Sequence, residues 1–78
     1  MMNILIYFHG SVFSGNNHLR AVKITHKFEQ PLSVQNLITH YSLITNVKVS
    51  INEEFINDLS RLVNENDEIH FFRPVSGG

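Results

Sequence analysis

The last eight residues, Phe71 to Gly78, close on Ser76-Gly77-Gly78 and a terminal carboxylate. These three residues carry almost no side chain. An arm built from them can enter a narrow tunnel where a branched residue would clash, and glycine adopts whatever φ and ψ the tunnel imposes. Pro74 fixes its own φ and biases Arg73 toward extended backbone, so the arm is launched outward. Phe71 and Phe72 are neighbours on a predicted strand and therefore point to opposite faces. One enters the core. The other, Phe72, is the first candidate for a partner-binding anchor, since aromatics dominate interfaces. Phe55 is the second candidate and Phe8 the third. Arg73 is expected to meet an acidic rim on a partner or to be solvated.

Other chemistry is poorly served. Histidines stand at 9, 18, 26, 40 and 70 without H-x₃-H spacing. Zinc needs three or four converging ligands, so the expectation is scattered surface histidines and no metal site. Glu53-Glu54 falls in a predicted turn, where solvated charge is a better reading than a paired acid and base. No serine sits in a G-x-S-x-G context. No P-loop or G-x-G-x-x-G occurs. There is no cysteine, which removes disulfides and thiolate chemistry. The sequence offers no catalytic constellation of its own.

Composition narrows the class. With 78 residues the chain makes one domain at most, and its hydrophobic share of 42% suits a globular fold. Six basic and seven acidic residues nearly cancel, which argues against nucleic acid as a partner. No apolar run approaches the ~20 residues that span a bilayer. The apolar start lacks a basic leader and a small-residue cleavage site, so it reads as a strand. A cytoplasmic location is the expectation.

The elements that must position the tail follow from periodicity. Residues 3–8 are β-branched and aromatic, a buried first strand. Residues 9–18 are rich in turn formers, with Val12 and Phe13 dipping back to the core. Residues 19–27 alternate, Val22 and Ile24 on one side, and form a hairpin with the first strand. Ser33 is a fair N-cap. Val34, Leu37, Ile38 and Tyr41 recur at helical spacing, predicting one amphipathic helix over 34–43. Residues 47–51 alternate with Val47, Val49 and Ile51 inward. Residues 52–54 turn, and Phe55-Ile56 return. Residues 57–67 read as a helical turn plus loop, ending in a tight turn at Asn66-Asp67. Residues 68–72 are the last strand. This order suits an α+β roll with a mixed sheet and one main helix crossing one face. Residues 1–72 form the domain and 73–78 a flexible tail.

The chain resembles the ubiquitin-like sulfur carriers, and most of all the MoaD-type small subunit of molybdopterin synthase. The resemblance rests on Asn52 after the third strand, Asn66-Asp67-Glu68-Ile69 before the last strand, and Arg73-Pro74-Val75-Ser76-Gly77-Gly78. Arg73 stands where a first proline is commoner, and Asn66 where glycine is usual. The resemblance implies a β-grasp fold. It implies that an E1-like adenylating enzyme activates the Gly78 carboxylate with ATP, and that sulfur from a persulfide donor displaces AMP to leave a thiocarboxylate. The molybdopterin synthase large subunit would then receive the tail, Gly77 giving clearance beside Gly78. ATP, magnesium and any zinc would belong to partners, with no cofactor held by this chain. A thiamine-pathway (ThiS-like) carrier and a ubiquitin-like protein modifier are the alternatives.

Overall fold

The computed structural model describes residues 1–15 and 22–74. Val75, Ser76, Gly77 and Gly78 lie outside them, as do residues 19–21 of the expected second strand. Five strands and one helix follow in the order β1 (Met2–His9), β2 (Lys23–Phe28), α1 (Val34–His40), β3 (Lys48–Ile51), β4 (Glu54–Ile56) and β5 (Glu68–Phe72). The strands form one mixed sheet in the order β2-β1-β5-β3-β4. The first and last strands lie parallel at its centre, and every other pairing is antiparallel. This is the expected α+β roll, a β-grasp arrangement.

Strand alternation builds the core. Ile4, Ile6 and Phe8 of β1, Ile69 and Phe71 of β5, and Val49 and Ile51 of β3 point inward and are buried. Val34, Leu37 and Ile38 of α1 close over them in a single cluster. Ile69 and Phe71 show no exposed area at all. Burial of this apolar surface is the main force holding so small a fold together.

The helix is shorter than the periodicity suggests. Ser33 is its N-cap, in a capping box where the Ser33 hydroxyl accepts from the Asn36 N–H and the Asn36 side chain accepts from the Ser33 N–H. Tyr41 is the C-cap, and Ser42 takes φ 54°, a left-handed turn that ends the helix. The Leu43 N–H then bonds back to the Ile38 carbonyl at 2.9 Å. Leu43 is thereby turned into the core as a bridge partner of Phe13. The Ile44 N–H bonds to the Val12 carbonyl, which holds buried Val12 in place as expected.

Residues 57–67 hold no helical turn. The Val34 and Gln35 N–H groups bond instead to the Arg61 and Leu59 carbonyls, and the Val63 N–H to the Leu32 carbonyl. The segment is therefore used as acceptors for the unpaired donors at the start of α1. Val22 also departs from expectation. It lies at a bend ahead of β2 and is 65% exposed, while Ile24 and Phe28 turn inward.

Candidate functional site

The strand that carries the tail is fixed by an asparagine–aspartate bracket. Asn52 and Asn66 both take positive φ, a conformation asparagine tolerates better than most residues. The Asn52 side chain donates to Asp67 Oδ1 at 2.9 Å, and its carbonyl oxygen accepts from the Glu68 N–H at 2.9 Å. Asp67 Oδ2 accepts from the Asn64 N–H at 2.8 Å, and Asp67 is buried. The Asn52 N–H closes the ring on the Glu68 carbonyl, and the Leu5 N–H bonds to the Asp67 carbonyl. These residues join the β3–β4 turn to the entry of β5. They position β5 and, through it, the root of the tail at Arg73.

Alternation on β5 sends Glu68, His70 and Phe72 to the face opposite the helix. Register then aligns one row of side chains across all five strands: Lys23, Tyr7, His70, Ser50 and Phe55. A second row sets His9 beside Phe72 and Phe72 beside Lys48. The Tyr7 and His70 rings stack with centroids 4.3 Å apart, as do His9 and Phe72 at 4.6 Å. Phe55 tilts against Phe72 at 5.8 Å. The Lys23 ammonium lies 5.5 Å from the centre of the Tyr7 ring, a cation–π distance. The outer face is thus an aromatic and imidazole surface. Phe72 is half-buried and Phe55 is 69% exposed.

Phe8 is not on this surface. It is 3% exposed and packs among Phe13, Tyr41 and Phe71. The reason is parity: His9 and Tyr7 take the outer face of β1, so Phe8 must take the inner one. The third interface candidate is therefore a core residue.

His18 lies outside the described residues; the other four histidines are not scattered but fall into two groups. His9 Nε2 and His70 Nδ1 lie 2.7 Å apart in a hydrogen bond between rings. One nitrogen must donate and the other accept, so the bond needs at least one neutral ring. Burial, and then the charge of His70, hold the His9 pKa below its usual value. His70 Nε2 is 3.8 Å from a Glu68 carboxylate oxygen. A second pair forms where α1 ends, with His26 Nδ1 2.6 Å from the Tyr41 hydroxyl. Burial, then the nearby His40, lowers the His26 pKa, and burial raises that of Tyr41. Among the described residues no three His, Asp or Glu side chains converge as a metal site. Sequence spacing missed both pairs because sheet register and the helix end create them.

The root of the tail is tied down. Arg73 is exposed, and its guanidinium donates to the Ser11 carbonyl at 3.0 Å. Pro74 follows, half-buried. The aromatic face therefore ends where the tail begins. Gly78, Gly77 and Ser76 lie outside the described residues. No described helix is long and apolar enough to cross a membrane.

No curated protein and no solved structure gave a significant match. A family model described as the ThiS family matches residues 15–78, from the loop after β1 through the terminal glycines. The mixed five-stranded sheet and the helix that covers it, among the described residues, agree with that match. The chain belongs to the ThiS family of ubiquitin-like sulfur carriers.

Proposed function

We propose that this sulfur carrier serves molybdopterin synthesis, as the small subunit of molybdopterin synthase, with Gly78 as the covalent site. The observation that carries the reading is the sequence from β5 outward. Phe72 closes an exposed aromatic face, Arg73 is pinned to Ser11, and Pro74-Val75-Ser76 leads into Gly77-Gly78. Sulfur carriers of this family work with E1-like adenylating enzymes and with synthase subunits. A carboxylate is a poor electrophile. The adenylating enzyme exchanges the pyrophosphate of ATP for the Gly78 carboxylate, giving an acyl-adenylate with AMP as leaving group. The outer sulfur of a persulfide donor attacks the carbonyl and displaces AMP, giving an acyl disulfide. A second thiol then attacks the donor-side sulfur, forming a disulfide there and releasing the thiocarboxylate. The resulting thiocarboxylate enters the molybdopterin synthase large subunit, where its sulfur attacks the pterin precursor. Catalytic groups and ATP belong to those partners.

This chain contributes presentation. The bracket at Asn52 and Asp67 holds β5, and the outer face with Phe72 and Phe55 docks the partner. Pro74 sets the launch, and Ser76 and Gly77 leave clearance for the reacting carbonyl. Reconstitution tests the pathway. The thiocarboxylated chain, mixed with the molybdopterin synthase large subunit and precursor, is expected to yield molybdopterin. Sulfur delivery to thiazole synthase with none to the large subunit would transfer the chain to the thiamine route. Gly78→Ala is expected to fold normally and to abolish sulfur transfer, because a Cβ crowds the reacting carbonyl.

A further inference from the structure

The row that crosses the outer face has one small member. Ser50 stands between His70 on β5 and Phe55 on β4, and its short side chain leaves a notch. The notch has a volume of about 410 Å³ and is lined by Ser50, Glu53, Phe55, Glu68, His70 and Phe72. That is room for a whole side chain, not merely a water molecule, whose share of liquid volume is about 30 Å³.

Three features of the lining point to the same occupant. Phe55 and Phe72, their rings inclined at 46°, line the notch with aromatic surface on which a flat group can pack. Glu53 and Glu68 add two carboxylates, of which Glu68 has only a 3.8 Å contact with His70. At the floor, Ser50 is 5% exposed and its hydroxyl makes no hydrogen bond among the described residues. Every fully enclosed side-chain polar atom there has a partner, so this hydroxyl is one that the notch still reaches. A hydroxyl that the notch reaches can accept from a ligand donor, and a ligand that pairs it gains specificity. Lys48, beside Phe72 in the adjacent row, does not line the notch, so a cation approaches from the Glu53 and Glu68 side.

We propose that this notch receives an arginine side chain of the adenylating enzyme, seating the carrier before its tail is activated. A guanidinium is flat, stacks on aromatic faces and spreads five donors in a plane, enough for both carboxylates and the serine hydroxyl together. A lysine ammonium is a strongly hydrated point charge and cannot stack in this way. Phe72 is shared by the notch and the root of the tail, so filling the notch fixes where the tail starts. The proposal rests on the sulfur-carrier reading for the identity of the partner, but not for the chemistry of the notch.

The test uses the full chain and its adenylating enzyme. Calorimetric titration at low and high salt compares the wild type with the double variant Glu53→Gln/Glu68→Gln and with Ser50→Ala. The double variant is expected to bind about tenfold more weakly and to lose much of the salt dependence. Ser50→Ala is expected to bind about threefold more weakly with an undiminished melting temperature, a split that a purely structural serine would not give. In parallel, N-acetyl-arginine amide is titrated into the free chain by NMR. Amide shifts at Ser50, Phe55 and Phe72 are expected, smaller with the lysine analogue and lost in the double variant. Unchanged affinity in the double variant, or no shifts at the notch, overturns the proposal. Should the wild type fail to be adenylated, the carrier reading falls, and the N-acetyl-arginine amide titration decides the notch by itself.

Discussion

The two faces of the sheet are written by the same strands, yet they hide their side chains in different ways. On the inner face, Ile4, Ile6, Phe8, Ile69 and Phe71 are sealed beneath α1. On the outer face, Tyr7, His9, His70 and Phe72 have no helix above them. They cover one another by stacking, and the His9–His70 hydrogen bond pairs two of their ring nitrogens. The inner face answers to folding alone. The outer face retains exposed aromatic area in a domain of 78 residues, where every buried ring would help stability. Aromatic surface left open in this way is what supports the proposal that a partner docks on this face.

The sharpest break of this comparison uses adjacent residues. Phe71→Ala should destabilise the fold by about 3–5 kcal/mol through the cavity it leaves, read as a large fall in melting temperature. Phe72→Ala should cost only about 1 kcal/mol while weakening binding to the adenylating enzyme. Equal stability losses in the two variants would erase the distinction between the faces. Next in size is the bracket below both faces. Asp67→Ala leaves the Asn52 amide and the Asn64 N–H without their acceptor. It should destabilise by about 2–3 kcal/mol and slow activation only as far as β5 loosens.

A smaller effect comes from pH. The folded pKa values of His9 and His26 lie below the usual 6.5. The unfolded chain therefore binds more protons near and below that value, and stability must rise with pH there. Stability is fully present above pH 6.5 and is lost as pH falls through the lowered folded values. Melting curves across this range should show the fall. His9→Gln should flatten the outer-face share of it, and the Tyr41-paired His26 should keep the remainder. The smallest expected effect is on Glu54→Gln, which removes an exposed 3.9 Å pair with Arg61. Its cost should stay below about 0.5 kcal/mol.

The inner face was largely legible in the sequence, because a period of two on a strand and a period near four on a helix both report burial. Val34, Leu37 and Ile38 show this, as does the alternation of β5 into Phe71 and Phe72. The inward place of Phe8 is hard to read, because parity on β1 is set by which neighbours face the core, and His9 hides that cue. The end of α1 was overrun because Ser42 adopts a left-handed φ that its residue type does not advertise. The conformation of residues 57–67 is not legible locally, because their role, supplying carbonyls to the start of α1, is a tertiary fact. The outer face was least legible. His9 and His70 are 61 residues apart, and only the parallel pairing of β1 with β5 brings them together. Likewise, the notch exists because register sets a serine among rings.

The central claim is that Gly78 carries sulfur. Intact mass of the full chain, after incubation with its adenylating enzyme, ATP, a persulfide donor and a thiol reductant, tests it most directly. The expected result is a gain equal to one oxygen exchanged for one sulfur, absent in Gly78→Ala and absent without ATP. An unchanged mass under conditions where the enzyme consumes ATP, or covalent attachment of the chain to other proteins through Gly78, would contradict the account.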